Sequence, residues 1–233
     1  MIHRIERALA RAATEYGVDA LLLVKHEAVT RKNVQYLTGF TGSSAYVLVA
    51  AVSEGCCGGS LPGARVFLTD GRYVEQASQQ CAPAGFEVIQ HEPDFAGDLA
   101  AAVRRLGIRR LGFESDAALH SVVEQVRAGL PGIELVATNG VVARERMVKD
   151  AAEVAALRCA AAAATTAFEQ VLGFIRPGVT ERDIAMELER HMRAAGAEGL
   201  AFDMIVASGP RSSMQHGAPS GKQVQAGEFV LMD

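Results

Sequence analysis

The sequence predicts an α/β domain over residues 1–140, followed by an α+β domain over residues 141–233. In the first part, short apolar runs alternate with stretches whose apolar residues repeat at helical spacing. That pattern is typical of a mixed or mainly parallel sheet covered by helices. In the second part, two long helical patterns come first and short strand-like runs follow. Between residues 138 and 146 the last predicted strand is followed by a charged segment and then by an Ala-rich helix, and this change marks the predicted domain boundary.

The first domain opens with a predicted helix over residues 2–16, in which Ile5 and Ala12 share one face and after which Gly17 ends the helix. The apolar run at 20–24 is typical of a buried strand. The same signals predict further strands at 45–50, 65–68, 86–89, 110–113 and 133–136, and further helices at 73–80, 95–106 and 118–129.

The second domain begins with a predicted Ala-rich helix over residues 149–172. The next helix starts after Thr180, whose hydroxyl can cap the free backbone N–H groups, and Glu181 suits the positive end of that helix. Strands are predicted at 202–207 and 229–233, with a polar loop between them.

Composition restricts the function classes. The chain has 233 residues, of which 49% are hydrophobic and 21% charged, and this is the profile of a soluble globular protein. Its formal net charge is −4, which argues against a nucleic-acid partner. The sequence has neither a secretory signal pattern nor a run close to the ~18 consecutive apolar residues of a membrane span. We therefore expect a cytoplasmic protein with no membrane partner. Its four cysteines, among them the adjacent Cys56 and Cys57, lack paired zinc-ligand spacing and are expected to be free thiols.

Two residues near the end of the sequence could carry chemistry. Asp233 ends the apolar run at 229–233, and a carboxylate at the end of a buried strand must accept hydrogen bonds, bind a cation or bear a desolvation cost. His216 precedes Gly217 and Pro219 in a turn that could present its imidazole to a cleft. From the residues alone, a strand-terminal aspartate is more often a turn former, and a histidine in a loop is more often solvated.

The remaining candidates are interpreted as structural or solvated. Glu198 and Asp203 are the nearest other carboxylates, and a pair of acids near a histidine could indicate another kind of general acid/base site. The other histidines considered share no metal-ligand spacing. They are His26, His91, His120 and His191.

The order of these features resembles a known family. After the two helices, segments 201–209, 216–220 and 227–233 are similar to the first half of a pita-bread peptidase domain, the fold of Xaa-Pro aminopeptidase, prolidase and methionine aminopeptidase. Segments 33–43 and 68–73 resemble the creatinase/prolidase-type N-terminal domain, which methionine aminopeptidases lack. The resemblance implies a Xaa-Pro peptidase, either an aminopeptidase P or a prolidase, that cleaves the bond between an N-terminal residue and a following proline.

The resemblance also implies roles for the two candidate residues. Asp233 matches the first ligand of a two-metal centre, in which Mn²⁺, Co²⁺ or Zn²⁺ ions activate a hydroxide and polarise the scissile carbonyl. His216 matches the histidine that orients the substrate and helps to stabilise the tetrahedral intermediate. The family's centre uses two aspartates, one histidine and two glutamates, and Asp233 is the one position among these with a counterpart here.

A single carboxylate is not expected to hold two divalent ions, so we expect residues 1–233 alone to lack both metal binding and peptidase activity. The unpaired edge of the last strand predicts self-association, and the family resemblance implies a homodimer. Two alternatives stay open: a metal-free, creatinase-type hydrolase on the same fold, and a non-catalytic, peptidase-like module that binds peptides.

Overall fold

The computed structural model describes residues 2–27, 32–51, 63–91 and 94–233. Two compact units make up the chain, Met1–Val148 and Lys149–Asp233. The division between them lies one short helix beyond the boundary predicted after residue 140. Cys56 and Cys57 lie outside the described residues.

The first unit is a mixed sheet with helices, as the sequence predicts. Its six-stranded sheet has the order β4-β3-β2-β1-β5-β6. The strands are β1 (Ala20–Lys25), β2 (Ala45–Ala50), β3 (Arg65–Thr69), β4 (Glu87–Gln90), β5 (Arg110–Glu114) and β6 (Glu134–Thr138). The helices are α1 (Ile2–Tyr16), α2 (Asn33–Thr38), α3 (Val74–Gln80), α4 (Phe95–Arg105), α5 (His120–Gly129) and α6 (Val141–Met147). β2 pairs antiparallel with β1 and β3, while the pairs β1–β5, β3–β4 and β5–β6 are parallel.

Strand β1 explains why the sheet needs helices on both faces. Successive side chains of a strand point to opposite faces, and Leu21 and Leu23 join a core cluster with Ile5 of α1. Leu22 and Val24 join the second cluster, to which α4 and α5 contribute. A strand that is buried on both faces reads as a continuous apolar run.

An ion-pair cluster attaches α6 to the first unit. The side chain of Glu145 is 7% exposed and accepts hydrogen bonds from Arg7 Nε at 2.8 Å and from Arg11 Nη2 at 2.9 Å, both on α1. Burial opposes ionisation of this carboxylate, but the two guanidinium groups outweigh it and lower the pKa of Glu145. These contacts explain why the compact unit includes α6 and extends past residue 140.

The second unit contains two helices and a short antiparallel strand pair. These are α7 (Ala151–Leu172), α8 (Glu181–Ala194), β7 (Val206–Ser208) and β8 (Val230–Met232), with a 3₁₀ helix at Gly209–Ser213. The predicted cap at Thr180 is confirmed, because its hydroxyl accepts a hydrogen bond from the Asp183 N–H at 3.1 Å. β7 begins later than the start predicted at residue 202, since residues 201–202 form a bend.

Helix α7 buries only part of its surface within this unit. Ala163, Ala167 and Val171 are its buried residues, whereas Leu157 and Phe168 are exposed. The length and apolar composition of α7 would allow it to cross a membrane. This is weak evidence, because core helices of soluble domains have the same properties.

Candidate functional site

The candidate site is built on the strand pair β7–β8, whose two faces differ. Val206, Val230 and Met232 pack into the core cluster formed with α7 and α8. Because side chains alternate along a strand, the residues between them belong to the opposite face of the pair. Ala207 and Leu231 are a directly opposed pair on that second face.

Asp233 continues the pairing of β8 by one residue. Its backbone N–H donates to the Ile205 carbonyl at 2.9 Å, and the Ile205 N–H donates to the Asp233 carbonyl at 2.8 Å. Directly opposed residues of an antiparallel pair place their side chains on the same face. The Asp233 side chain therefore lies on the face shared by Ile205 and Ala207, and the residue is exposed.

The turn that carries His216 packs against the same face. The Gly217 N–H donates to the Met214 carbonyl at 3.0 Å, which closes the turn, and Gly217 is buried while His216 is exposed. A Cβ added at Gly217 would lie 3.3 Å from the Ala207 Cβ and 3.2 Å from the Met214 Cβ. Only glycine allows this close approach without displacement of the turn.

The structure thus brings the two predicted site residues to one surface. Gly217 rests on Ala207, and Asp233 pairs with Ile205, two residues earlier on the same strand. At about 3.3 Å per residue, these two positions are roughly 7 Å apart along β7. His216 and Asp233 are both exposed here, whereas Ile205 and Ala207 between them are buried.

The buried carboxylate of Glu181 lies beneath this surface. The sequence had assigned this residue only a role at the start of α8. The Glu181 side chain is fully buried and accepts hydrogen bonds from Ser208 N at 2.7 Å and from Ser220 Oγ at 2.6 Å. It also accepts from Arg211 Nε at 3.1 Å. Burial opposes ionisation, but the hydrogen bonds from Ser220 and Ser208 outweigh it and lower the pKa of Glu181 to about 2.

A second ion pair adjoins this network. Lys222 Nζ donates to Glu228 Oε2 at 2.6 Å and to Ser208 Oγ at 3.0 Å. The bond from Lys222 lowers the pKa of Glu228. The Glu228 carboxylate also lies where a Cβ on Gly209 would be, and Gly209 has a φ of +56°. The loop after β7 is therefore fixed to the segment before β8 by charged hydrogen bonds.

The other candidates are exposed or take part in local contacts. The backbone carbonyl of Glu198 accepts from Arg193 Nη1 at 3.1 Å, and Asp203 is exposed. His191 Nε2 lies 3.1 Å from Glu187 Oε1 on α8. The three other histidine candidates belong to the first unit, with His91 packed beside Tyr46 and Phe95, His120 at the start of α5, and His26 just after β1.

The two-metal centre that the resemblance implies needs several closely grouped ligands. Within the part of the chain that the structure describes, no three His, Cys, Asp or Glu side chains are grouped closely enough to hold a metal ion. Asp233 offers one carboxylate, and affinity for a divalent ion depends on the number of ligands and on their geometry. Among the described residues, the structure therefore shows no ligand group that matches the two-metal centre implied by the resemblance.

An apolar groove of about 1240 Å³ adjoins the end of β8 in the second unit. It runs between α7 and the segment after α8, and its walls include Ala160, Phe168, Leu200 and Met232. Asp233 also lines it.

Comparison with known proteins decides the family. Residues 4–148 match the Creatinase/Prolidase N-terminal domain, and residues 155–233 match Metallopeptidase family M24. The chain belongs to the creatinase/prolidase N-terminal domain family, and its second part matches a portion of metallopeptidase family M24. The fold predicted from the sequence, a creatinase-like domain followed by the first part of a pita-bread domain, is confirmed.

Three relatives of this chain are informative. It is 36% identical over 219 residues to the "Uncharacterized peptidase YqhT" of Bacillus subtilis, over 94% of this chain and 57% of that protein. It is similar to the structure of a Xaa-Pro dipeptidase from Bacillus anthracis, with 38% identity, a TM-score of 0.85, and coverage of 100% of this chain and 60% of that one. The structure of an X-Pro aminopeptidase from Thermotoga maritima gives 34% identity, a TM-score of 0.82, and coverage of 98% and 60%. The chain thus spans less than two thirds of the length of each of these relatives.

Proposed function

We propose that the protein containing this chain is a Xaa-Pro peptidase, which releases an N-terminal residue from a peptide whose second residue is proline. The observation that carries this proposal is the common face of β7–β8, on which the His216 turn and Asp233 both lie. The two similar structures described above are a Xaa-Pro dipeptidase and an X-Pro aminopeptidase, which supports the same substrate class.

His216 is proposed to act on the substrate. It is exposed on a turn whose backbone is packed against β7, so its ring can reach a peptide while its position stays fixed. An imidazole N–H can donate a hydrogen bond to an oxygen that gains negative charge. Such a donor would help to stabilise the tetrahedral intermediate of peptide hydrolysis.

Asp233 is proposed as a metal-ligand position of the whole protein. Residues 155–233 match Metallopeptidase family M24, which supports a metal-ligand role for Asp233. With one carboxylate, residues 1–233 alone are proposed to show neither metal binding nor turnover. A homodimer and a cytoplasmic location remain predictions from the sequence.

The test uses the product of the complete reading frame that contains residues 1–233. We expect it to hydrolyse Ala-Pro or a longer Xaa-Pro peptide much faster than the matched Ala-Ala substrate, and a chelator to stop the reaction. His216→Gln should lower kcat by about 100- to 1000-fold, the usual effect of removing one donor to the intermediate. His191→Gln is the matched control, because His191 pairs with Glu187 on α8 and should leave kcat unchanged.

Other results would replace this proposal. Hydrolysis that continues in chelator would favour a creatinase-type reaction. Tight, chelator-insensitive binding of proline peptides without turnover would favour a peptide-binding module. Equal rates on Ala-Pro and Ala-Ala would contradict the proposed specificity.

A further inference from the structure

The buried carboxylate of Glu181 is bonded to both ends of the segment that carries His216. Before His216, it accepts from Ser208 N, Ser208 Oγ and Arg211 Nε. After His216, it accepts from Ser220 N at 3.1 Å and from Ser220 Oγ at 2.6 Å. One side chain on α8 thus closes a loop whose two ends would otherwise be held by separate contacts.

Arg211 extends this network to the turn itself. Its Nε donates to Glu181, and its Nη2 donates to the Ala218 carbonyl at 2.9 Å. Ala218 lies two residues after His216, next to the buried Gly217. The guanidinium group of Arg211 therefore links the Glu181 carboxylate to the backbone beside His216.

Capping of α8 does not account for these contacts. The capping box of this helix is formed by Thr180 and Asp183. The Glu181 carboxylate instead accepts hydrogen bonds from residues outside the helix, and the first free N–H groups of α8, at Glu181 and Arg182, donate to the carbonyls of Lys222 and Ser220. The start of α8 and its buried carboxylate both bind the loop.

We propose that Glu181 is a positioning residue that fixes the turn of His216 on the face of β7–β8 that carries Ala207. The proposal rests on the proposed function, because the position of His216 matters for catalysis only if this face is the peptidase site. Glu181 itself is buried and acts through Arg211 and Ser220, so it has no contact with the substrate.

The test compares Glu181→Gln with Asp183→Asn in the 233-residue chain. Both changes remove a carboxylate from the first turn of α8. In the capping box, however, Asp183 bonds to Thr180 and not to the loop that carries His216. The nitrogen-15 signals of the His216 ring, assigned with His216→Gln, and the hydrogen-exchange rate of the Gly217 amide report on the turn. These signals need neither metal nor substrate, so their outcome is separate from that of the peptidase assay.

We expect Glu181→Gln to shift the His216 ring signals and to speed exchange at Gly217 about tenfold or more, as loss of one net hydrogen bond implies. Asp183→Asn should leave both unchanged. If Glu181→Gln does not fold, the same signals are measured in Ser220→Ala. This variant removes one hydrogen bond to the Glu181 carboxylate and should give a smaller change in the His216 and Gly217 signals. Unchanged His216 and Gly217 signals in a folded variant would overturn the proposal, and so would equal changes in Asp183→Asn.

Discussion

Replacement of Glu181 by glutamine should destabilise the second unit at neutral pH by about 2 to 3 kcal/mol. The magnitude follows from the carboxylate, whose pKa falls from its ordinary value of 4.5 to about 2 in the folded protein. A decrease of this size corresponds to roughly 3 kcal/mol in favour of the ionised form of the folded state. Glutamine resembles the protonated carboxyl group and loses most of this contribution.

The same pKa fixes the pH dependence of the effect. The folded-state pKa lies below that of the unfolded chain, so the contribution is fully present above the ordinary value of 4.5 and is lost as the pH falls through about 2. The difference between the original protein and Glu181→Gln should therefore be largest near neutral pH. At about pH 3 it should fall to roughly half or less of that value.

Urea unfolding at two pH values measures this difference. All four tyrosines lie in the first unit, so tyrosine fluorescence reports on that unit alone. The amide signal of Ile184, a fully buried residue of α8, reports on the second unit. As a control, Glu145→Gln should lower the stability reported by tyrosine and leave the Ile184 transition in place. Equal stability of the original protein and Glu181→Gln at pH 7, or the same cost at pH 7 and pH 3, would refute the reasoning.

Three further predictions concern the second unit. Asp150→Ala removes the capping box of α7 and should cost about 1 kcal/mol in urea unfolding, and an unchanged midpoint would contradict the role of the cap. Gly217→Ala places a Cβ in tight contact with the turn and β7. It should lower the free energy of unfolding by about 1 to 2 kcal/mol and shift the ring signals of His216. Unshifted signals would show that the turn is not held against β7. Leu157→Glu combined with Phe168→Glu makes the exposed face of α7 polar and should reduce self-association in light scattering, whereas an unchanged mass would exclude this face as the contact.

Local patterns predicted much of the fold. The apolar run of β1 indicated a strand buried on both faces, and Thr180 indicated the start of α8, because each signal depends on neighbouring residues. The domain boundary was harder to place. Its position depends on the contacts of Glu145 with Arg7 and Arg11, which are more than a hundred residues away in the sequence.

The candidate site was predictable only in part. His216 and Asp233 stood out through their motifs, but the sequence did not show that the turn and the strand end share one face. Glu181 was assigned to the helix end, which is a sufficient local explanation for an acidic residue there. Its actual partners, Ser208 and Ser220, are 27 and 39 residues away, and no local spacing links them to it.

The central proposal is that the face of β7–β8 shared by Ala207 and Asp233 belongs to a metallopeptidase site in which Asp233 is a ligand. The most direct measurement is the Mn²⁺-dependent rate of Ala-Pro hydrolysis by the complete reading-frame product and by its Asp233→Asn variant. Asp203→Asn serves as the control, because Asp203 is an exposed carboxylate of the same unit. The account predicts that Asp233→Asn abolishes the Mn²⁺-dependent rate and that Asp203→Asn retains it. A full rate in Asp233→Asn would contradict the account.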